Sequence, residues 1–330
     1  MPSMSGTKDA VLSCLEEHKG SYISGAQLAQ TLGISRNSVW KAVHALQKSG
    51  YAITGTTGLG YRLDASSCKL SGVQIQRLLQ TPAITVEYHD CIDSTNDEAK
   101  RRATQGAPCG TLVVAAQQNS GHGRQGRSFF SPAGTGVYFS LLLRPESHVG
   151  DTGLVTSYTA VAVARAIEEV CGVATQIKWV NDVFVDGQKV CGILSEASLG
   201  AESGTVAMLV VGIGINVFTP ADGFPADIAD VAHAIFPAGK DVDDVRAKLV
   251  ARVIDLFCED YERMFEAPHL EEYRKRSLLD GRDVEVFEGT SSFRAHVIGI
   301  AENFDLLVRL EDGSTRALYC GEVHIPSSQF

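Results

Sequence analysis

At 330 residues, with 44% hydrophobic and 21% charged residues, the chain has the composition of a globular protein and the length of two or three domains. A net charge of −10 excludes a general nucleic-acid coat. No stretch approaches a membrane span, and the first nine residues lack an apolar signal core. The eight cysteines have no C-x-x-C spacing, so they form neither a zinc site nor a thioredoxin-like motif. A reduced cytoplasmic protein with free thiols is the plain reading.

The first 66 residues differ from the rest. Six basic residues oppose four acidic ones there, a net charge of +2, which leaves −12 for the remainder. Residues 10–17 place apolar side chains on one helix face. Ser24 with Gln27 three positions on fits a capping box, and the helix it opens stops at Gly33. Ser35 caps a third helix over 36–49, with Val39, Trp40, Val43 and Leu46 as its apolar face. Two short helices joined by residues 32–35 make a helix-turn-helix. Residues 51–54 and 60–63 form a hairpin, the wing. Ser35, Arg36, Asn37 and Ser38 would meet DNA bases. Lys41, His44 and Lys48 would meet phosphates, which set affinity and not sequence choice. A small helical domain that binds protein is the alternative.

Residues 64–69 read as a polar linker, 70–79 as a helix and 84–88 as a strand. Residues 93–99 carry Ser94, Thr95, Asn96 and Asp97, all good helix caps. A helix start of this kind also holds anions, so cap and site can coincide.

Residues 111–116 are a buried strand, and 118–127 follow as a loop with three glycines and two arginines. Glycines let the backbone approach a ligand. Arginines pair with phosphate or carboxylate and keep their charge. A small molecule bearing one of these groups is therefore implied, with a mobile surface loop as the alternative. Gly121-x-Gly123-x-x-Gly126 matches the dinucleotide fingerprint by letter, but that motif must open a helix. Pro132, Gly134 and Gly136 forbid one.

A buried strand over 137–143 and a largely apolar helix over 154–170 come next. Residues 176–185 and 188–196 read as two strands joined at Asp186-Gly187, the strongest hairpin signal in the chain. Lys178, Asn181, Asp182 and Lys189 sit inside that apolar hairpin. They need partners or a ligand if buried, or they face water on an open sheet. Residues 206–217 extend as a strand in which glycines admit close approach and Asn216 offers an amide. A loop-rich stretch over 220–237, helices over 242–265 and 270–276, and short strands from 283 to 318 follow. The last suggest a small barrel.

In this order, these motifs resemble the bifunctional biotin–protein ligases that also repress biotin genes. The likeness rests on residues 58–63, Asp93-Ser94-Thr95-Asn96, the loop 121–127, and Lys178-Trp179-Val180-Asn181-Asp182. Residues 189–196 and 212–216 complete it. Two positions depart from the family pattern. His122 stands for the usual first arginine of the loop and removes a permanent charge; Val180 stands for the usual proline. The resemblance implies an α+β fold in three parts. These are a winged helix-turn-helix (1–66), a mixed-sheet, class II synthetase-like ligase domain (67–275) and an SH3-like β-barrel (276–330). It implies that biotin and ATP give biotinyl-5'-AMP, and that a lysine of a biotin carboxyl carrier protein then takes the biotinyl group. Ser94, Thr95, Asn96, Gln118, His122, Gly123, Arg124 and Lys189 would contact biotin. Arg124, Arg127, Lys178, Asn181 and Asn216 would contact the nucleotide. Arg124, Lys189 and Asp182 would be catalytic, with Mg²⁺ arriving with ATP and Asp182 as its candidate ligand. Operator DNA and a homodimer formed on adenylate binding are the other implied partners. A lipoate–protein ligase and a ligand-sensing repressor without catalysis are the rival readings.

Overall fold

Local chemistry decides the N-terminal helices. In the computed structural model, Ser24 Oγ accepts from the Gln27 N–H while Gln27 Oε1 accepts from the Ser24 N–H. This reciprocal cap opens α2 (Gly25–Leu32), and Gly33 closes it in the left-handed region with φ 65°. Ser35 caps α3 (Arg36–Lys48) through the Ser38 N–H. With α1 (Thr7–Glu17) these helices enclose a core of Val11, Leu12, Leu15, Leu28, Val39, Val43 and Leu46. The wing is β1 (Ile53–Thr56) paired antiparallel with β2 (Gly60–Leu63). Ile23 adds a bridge to Tyr61. A Cβ at Gly60 would lie 2.2 Å from the Ile23 carbonyl oxygen, so the wing closes on the helices only with glycine there. One expectation fails. Trp40 does not join the core; it is 51% exposed, with its ring edge-on to His44 at 4.5 Å. Helical spacing places Trp40 beside the apolar row but cannot say where the core stops.

The structure describes residues 6–145, 152–199, 206–240, 242–288, 291–319 and 321–325. Cys320, one of the eight cysteines, lies outside them; the other seven are free thiols. The chain divides into two compact units, one made of the chain up to Leu78 and a short return segment at 242–248, the other of residues 79–240 and those after Lys248. The first contains α4 (Gly72–Leu78) beside the winged helix. No helix among the described residues is long and apolar enough to cross a membrane.

The second unit is built on a seven-stranded mixed sheet. Its strands are β3 (Thr85–His89), β4 (Thr111–Ala115), β5 (Gly136–Leu143), β6 (Gln176–Lys178), β7 (Asp182–Val185), β8 (Gln188–Leu199) and β9 (Val206–Asn216). They lie in the order β3-β4-β5-β9-β8-β7-β6. Only β3 and β4 run parallel; the other neighbours are antiparallel. β4 and β5 are buried along their whole length, as their largely apolar sequence favours. Helix α5 (Thr95–Thr104) packs on β4, β5 and β9, and α6 (Thr152–Cys171) on β6, β7 and β8.

Two elements are shorter than their sequence patterns suggest. Residues 176–185 are not one strand. The chain turns at residues 179–181, so β6 and β7 pair with each other. The break is held from afar: Trp179 Nε1 donates to the Phe304 carbonyl and Tyr273 Oη to the Val180 carbonyl. The long C-terminal helix, α7 (Val245–Glu259), stops early; a 3₁₀ turn over Tyr261–Glu266 leads to Ala267 in the left-handed region. After α8 (Leu270–Lys275) comes a five-stranded antiparallel sheet. Its strands are β10 (Asp283–Glu288), β11 (Ser291–Ile300), β12 (Leu306–Leu310), β13 (Thr315–Leu318) and β14 (Glu322–His324), in the order β13-β12-β11-β10-β14. A bulge between Val297 and Gly299 bends β11.

Candidate active site

One cavity of about 540 Å³ opens over β8 and β9, roofed by the glycine-rich loop. It gathers every ligand-site residue that the sequence nominates outside the winged helix. Ser94, Thr95, Asn96, Gln118, His122, Gly123, Arg124, Arg127, Lys178, Asn181, Asp182, Lys189 and Asn216 all line it.

The inner end is a fixed polar surface. Ser94 caps α5, accepting from the Asp97 N–H. That brings Thr95 and Asn96, both buried, to the cavity wall. Gln118 Oε1 accepts from the Thr95 N–H at 2.8 Å and from Thr95 Oγ1 at 3.0 Å, while its Nε2 donates to Ser131 Oγ. Asn96 Nδ2 donates to Glu196 Oε2 at 2.7 Å, and Ser140 Oγ donates to Asn96 Oδ1 at 2.6 Å. With both ends of each amide bonded, their orientation is set before a ligand arrives. The wall beside them is bare backbone by necessity. A Cβ at Gly212 would stand 2.0 Å from Asn96 Oδ1, and one at Gly214 would stand 2.5 Å from the Phe129 ring.

The outer end is cationic. Lys189 Nζ pairs with Asp182 Oδ1 at 2.8 Å. Asn181 Nδ2 donates to the same oxygen, and its Oδ1 accepts from Arg124. Arg127 forms a two-pronged ion pair with Glu322 on β14, both distances 2.6 Å. Burial, with Lys189 and Arg127 adding to it, pushes Lys178 below the ordinary lysine range; Asp182 and Glu322 pull the other way. Such a cluster of basic groups with few carboxylates is a receptor for anions. The loop makes a 3₁₀ turn at Arg124–Gly126 and then runs extended, with no helix behind the glycines. The dinucleotide reading fails on that geometry.

Sequence reasoning missed several members. Ser140 lies in an apolar run; its register partner is Gly212, and a lone serine opposite a glycine in a buried strand was the available signal. Glu196, Asp97 and Glu322 act on other side chains; Asp97 reads as a helix cap and Glu196 ends the 189–196 segment, but the sequence assigns none of the three a role in the site. Phe129, Phe130, Phe224, Ile228 and Val231 supply apolar lining from two loops. In the winged helix, Ser35, Arg36, Asn37, Lys41, His44 and Lys48 are exposed, and Ser38 is half-buried. Helix α3 carries no carboxylate.

A helix-turn-helix unit in one chain with a cavity that is polar at one end and lined by lysines and arginines at the other defines a DNA-binding protein that also carries a small-molecule site. Comparison with known proteins agrees. Residues 88–216 match the biotin/lipoate A/B protein ligase family, and residues 7–62 match a helix-turn-helix domain. The bifunctional ligase/repressor BirA of Bacillus subtilis is 34% identical over 310 residues, covering 92% of this chain and 94% of that one. The BirA of Escherichia coli is 28% identical over 94% of this chain and 95% of its own. Among solved structures, the biotin protein ligase of Aquifex aeolicus in complex with biotin and ATP superposes with a TM-score of 0.59 at 28% identity. It covers 73% of this chain and 97% of that one. The chain belongs to the family of bifunctional ligase/repressors.

Proposed function

We propose that the chain joins biotin to ATP and passes the biotinyl group to a lysine of a biotin carboxyl carrier protein. Loaded with the adenylate, it represses transcription at an operator. The observation that carries this reading is the polarity of this cavity. An amide-and-hydroxyl wall suits the uncharged ureido ring of biotin, and the cationic end suits its carboxylate beside the α-phosphate.

In the first step a biotin carboxylate oxygen attacks the α-phosphorus and pyrophosphate leaves. Both reactants are anions. Arg124, Lys178 and Lys189 offset their repulsion and the charge that builds at phosphorus, while the fixed wall holds the ring. In the second step the carrier lysine's amine attacks the acyl carbon, AMP leaves, and the amine gives up a proton. Asp182 is the carboxylate placed to orient that amine. Both of its side-chain contacts fall on Oδ1, so its other oxygen suits a Mg²⁺ ion carried in with ATP. Asn216 sits on the nucleotide side.

DNA recognition is assigned to residues 1–66, catalysis to 67–275 and a C-terminal β domain to 276–330, with adenylate-dependent dimerisation matching a two-fold operator. Seven free thiols fit a cytoplasmic setting.

ATP–pyrophosphate exchange tests the reading. Biotin should support exchange and lipoate should not. Lys189→Ala should slow it by about 100-fold or more, the scale of losing one preorganised charge-stabilising group. Exchange with lipoate alone would reassign the substrate; no exchange with either would favour a sensor without catalysis.

A further inference from the structure

The roof of the cavity is tied to its wall by a side-chain contact between the glycine-rich loop and α5. His122 stands in the glycine-rich loop, and its Nε2 lies 2.8 Å from Asp97 Oδ2 on α5. The other oxygen of Asp97 accepts from Lys100 Nζ at 3.3 Å. Lys100 Nζ also donates to Glu196 Oε1 at 2.8 Å. Glu196 Oε2 accepts from Asn96 Nδ2 at 2.7 Å. The roof residue His122 and the wall residue Asn96 are therefore the two ends of one unbroken chain of polar contacts. It runs from the loop across α5 to β8 and back.

On its other side the loop is held by different partners, with Arg127 on Glu322 and Arg124 on Asn181. Asp93, where the chain enters α5, is taken up by Arg101. Asp97 is thus the carboxylate that engages the His122 imidazole. Burial raises its proton affinity, but the bonds from His122 and Lys100 outweigh that and keep it ionised.

We propose that His122 and Asp97 form a clasp that holds the glycine-rich loop shut over the cavity. Asp97, which does not line the cavity, is then a positioning residue for ligand retention. The retention arm of this inference rests on the adenylate-forming function above. An opened loop leaves the ligand exposed on that side, so breaking the clasp speeds its escape without altering the groups that perform the chemistry.

Two measurements test it. The first needs no ligand: trypsin cleavage after Arg124 and Arg127, followed by mass spectrometry. Asp97→Asn should be cut there faster than the wild type. The second forms biotinyl-5'-AMP on the protein from labelled biotin and ATP, then follows its release into an unlabelled chase. Asp97→Asn should release it about two- to fivefold faster, the scale of one partly exposed side-chain contact. The rate of adenylate formation at saturating biotin and ATP should not change. Asp97→Asn combined with His122→Asn should release no faster than His122→Asn alone. His122→Arg, which keeps a donor towards Asp97, should restore slow release only when Asp97 is present. Unchanged cleavage in Asp97→Asn overturns the clasp. So does multiplication of the two single effects. If biotin and ATP leave no adenylate on the wild type, the functional reading fails instead, and the cleavage result alone decides the clasp.

Discussion

At the scale of single residues, the site depends on atoms that are absent as much as on those present. Gly212 leaves room for the Asn96 amide, which a methyl group would meet at 2.0 Å. Gly212→Ala should therefore weaken biotin binding more than it weakens the fold. Overpacking of this kind costs about 1–3 kcal/mol, and titration calorimetry beside a melting curve separates the two effects. Charge at the other end is tuned by burial. Lys178 gives up its proton at a lower pH than an exposed lysine, with burial the leading cause. Its attraction for phosphate is full below that point and fades as pH rises through it. The KM for ATP should accordingly climb on the alkaline side, and Lys178→Arg, which stays charged, should flatten the climb. Steady-state exchange from neutral to alkaline pH checks this.

Among the elements, α3 offers the plainest test. Its exposed side carries Arg36, Asn37, Lys41, His44 and Lys48 and no acidic group. Lys41→Ala should weaken binding to all sequences alike and flatten the salt dependence by about one ion, whereas Asn37→Ala should relax sequence choice. Binding of selected and scrambled duplexes across a salt series distinguishes the two.

The elements also show how far the sequence could be read. Caps and turns are local, so the Ser24–Gln27 box, the Gly33 stop and the Asp186-Gly187 hairpin were visible in a few residues. The turn at residues 179–181 was not. Its flanks are good strand formers, and its stabilising contacts come from Phe304 and Tyr273, more than ninety positions away. Trp40 is a third kind of case. Periodicity placed it near the apolar row, and only packing reveals that the core ends before it. The cavity-lining candidates of the loop and hairpin were legible because their chemistry is unusual where they stand, lysines in an apolar hairpin and arginines among glycines, whereas Ser94, Thr95 and Asn96 read by themselves only as helix caps. Asp97 read as a helix cap and Glu196 as the end of the 189–196 strand, and their partners are brought to them only by the folded chain.

For the whole molecule, the proposed function gives one ligand two outputs. On that reading the adenylate made in the cavity is also the signal that the DNA-binding unit reports. A single winged helix with a net charge of +2 over residues 1–66 has weak sequence-independent affinity, because that affinity comes from phosphate neutralisation. On the proposed reading, pairing two such units on a palindrome would supply the rest. Ligand that orders the loop beforehand lowers the entropy lost on pairing. Operator affinity should therefore rise when biotin and ATP are both present, and by less than in a His122→Arg variant. Titrations at fixed salt, with and without the two ligands, measure the difference.

The two tryptophans give that experiment its own optics. The chain has two indoles, Trp40 half in solvent on α3 and Trp179 only 5% exposed at the cavity wall. A hydrated indole emits to the red of a buried one, so each unit of the molecule carries a native fluorophore of its own colour. Quenching at the red edge follows DNA arriving at α3, while changes at the blue edge follow the cavity filling. The order in which the two signals move, in an unlabelled protein, would tell whether the nucleotide is seated before the operator is bound.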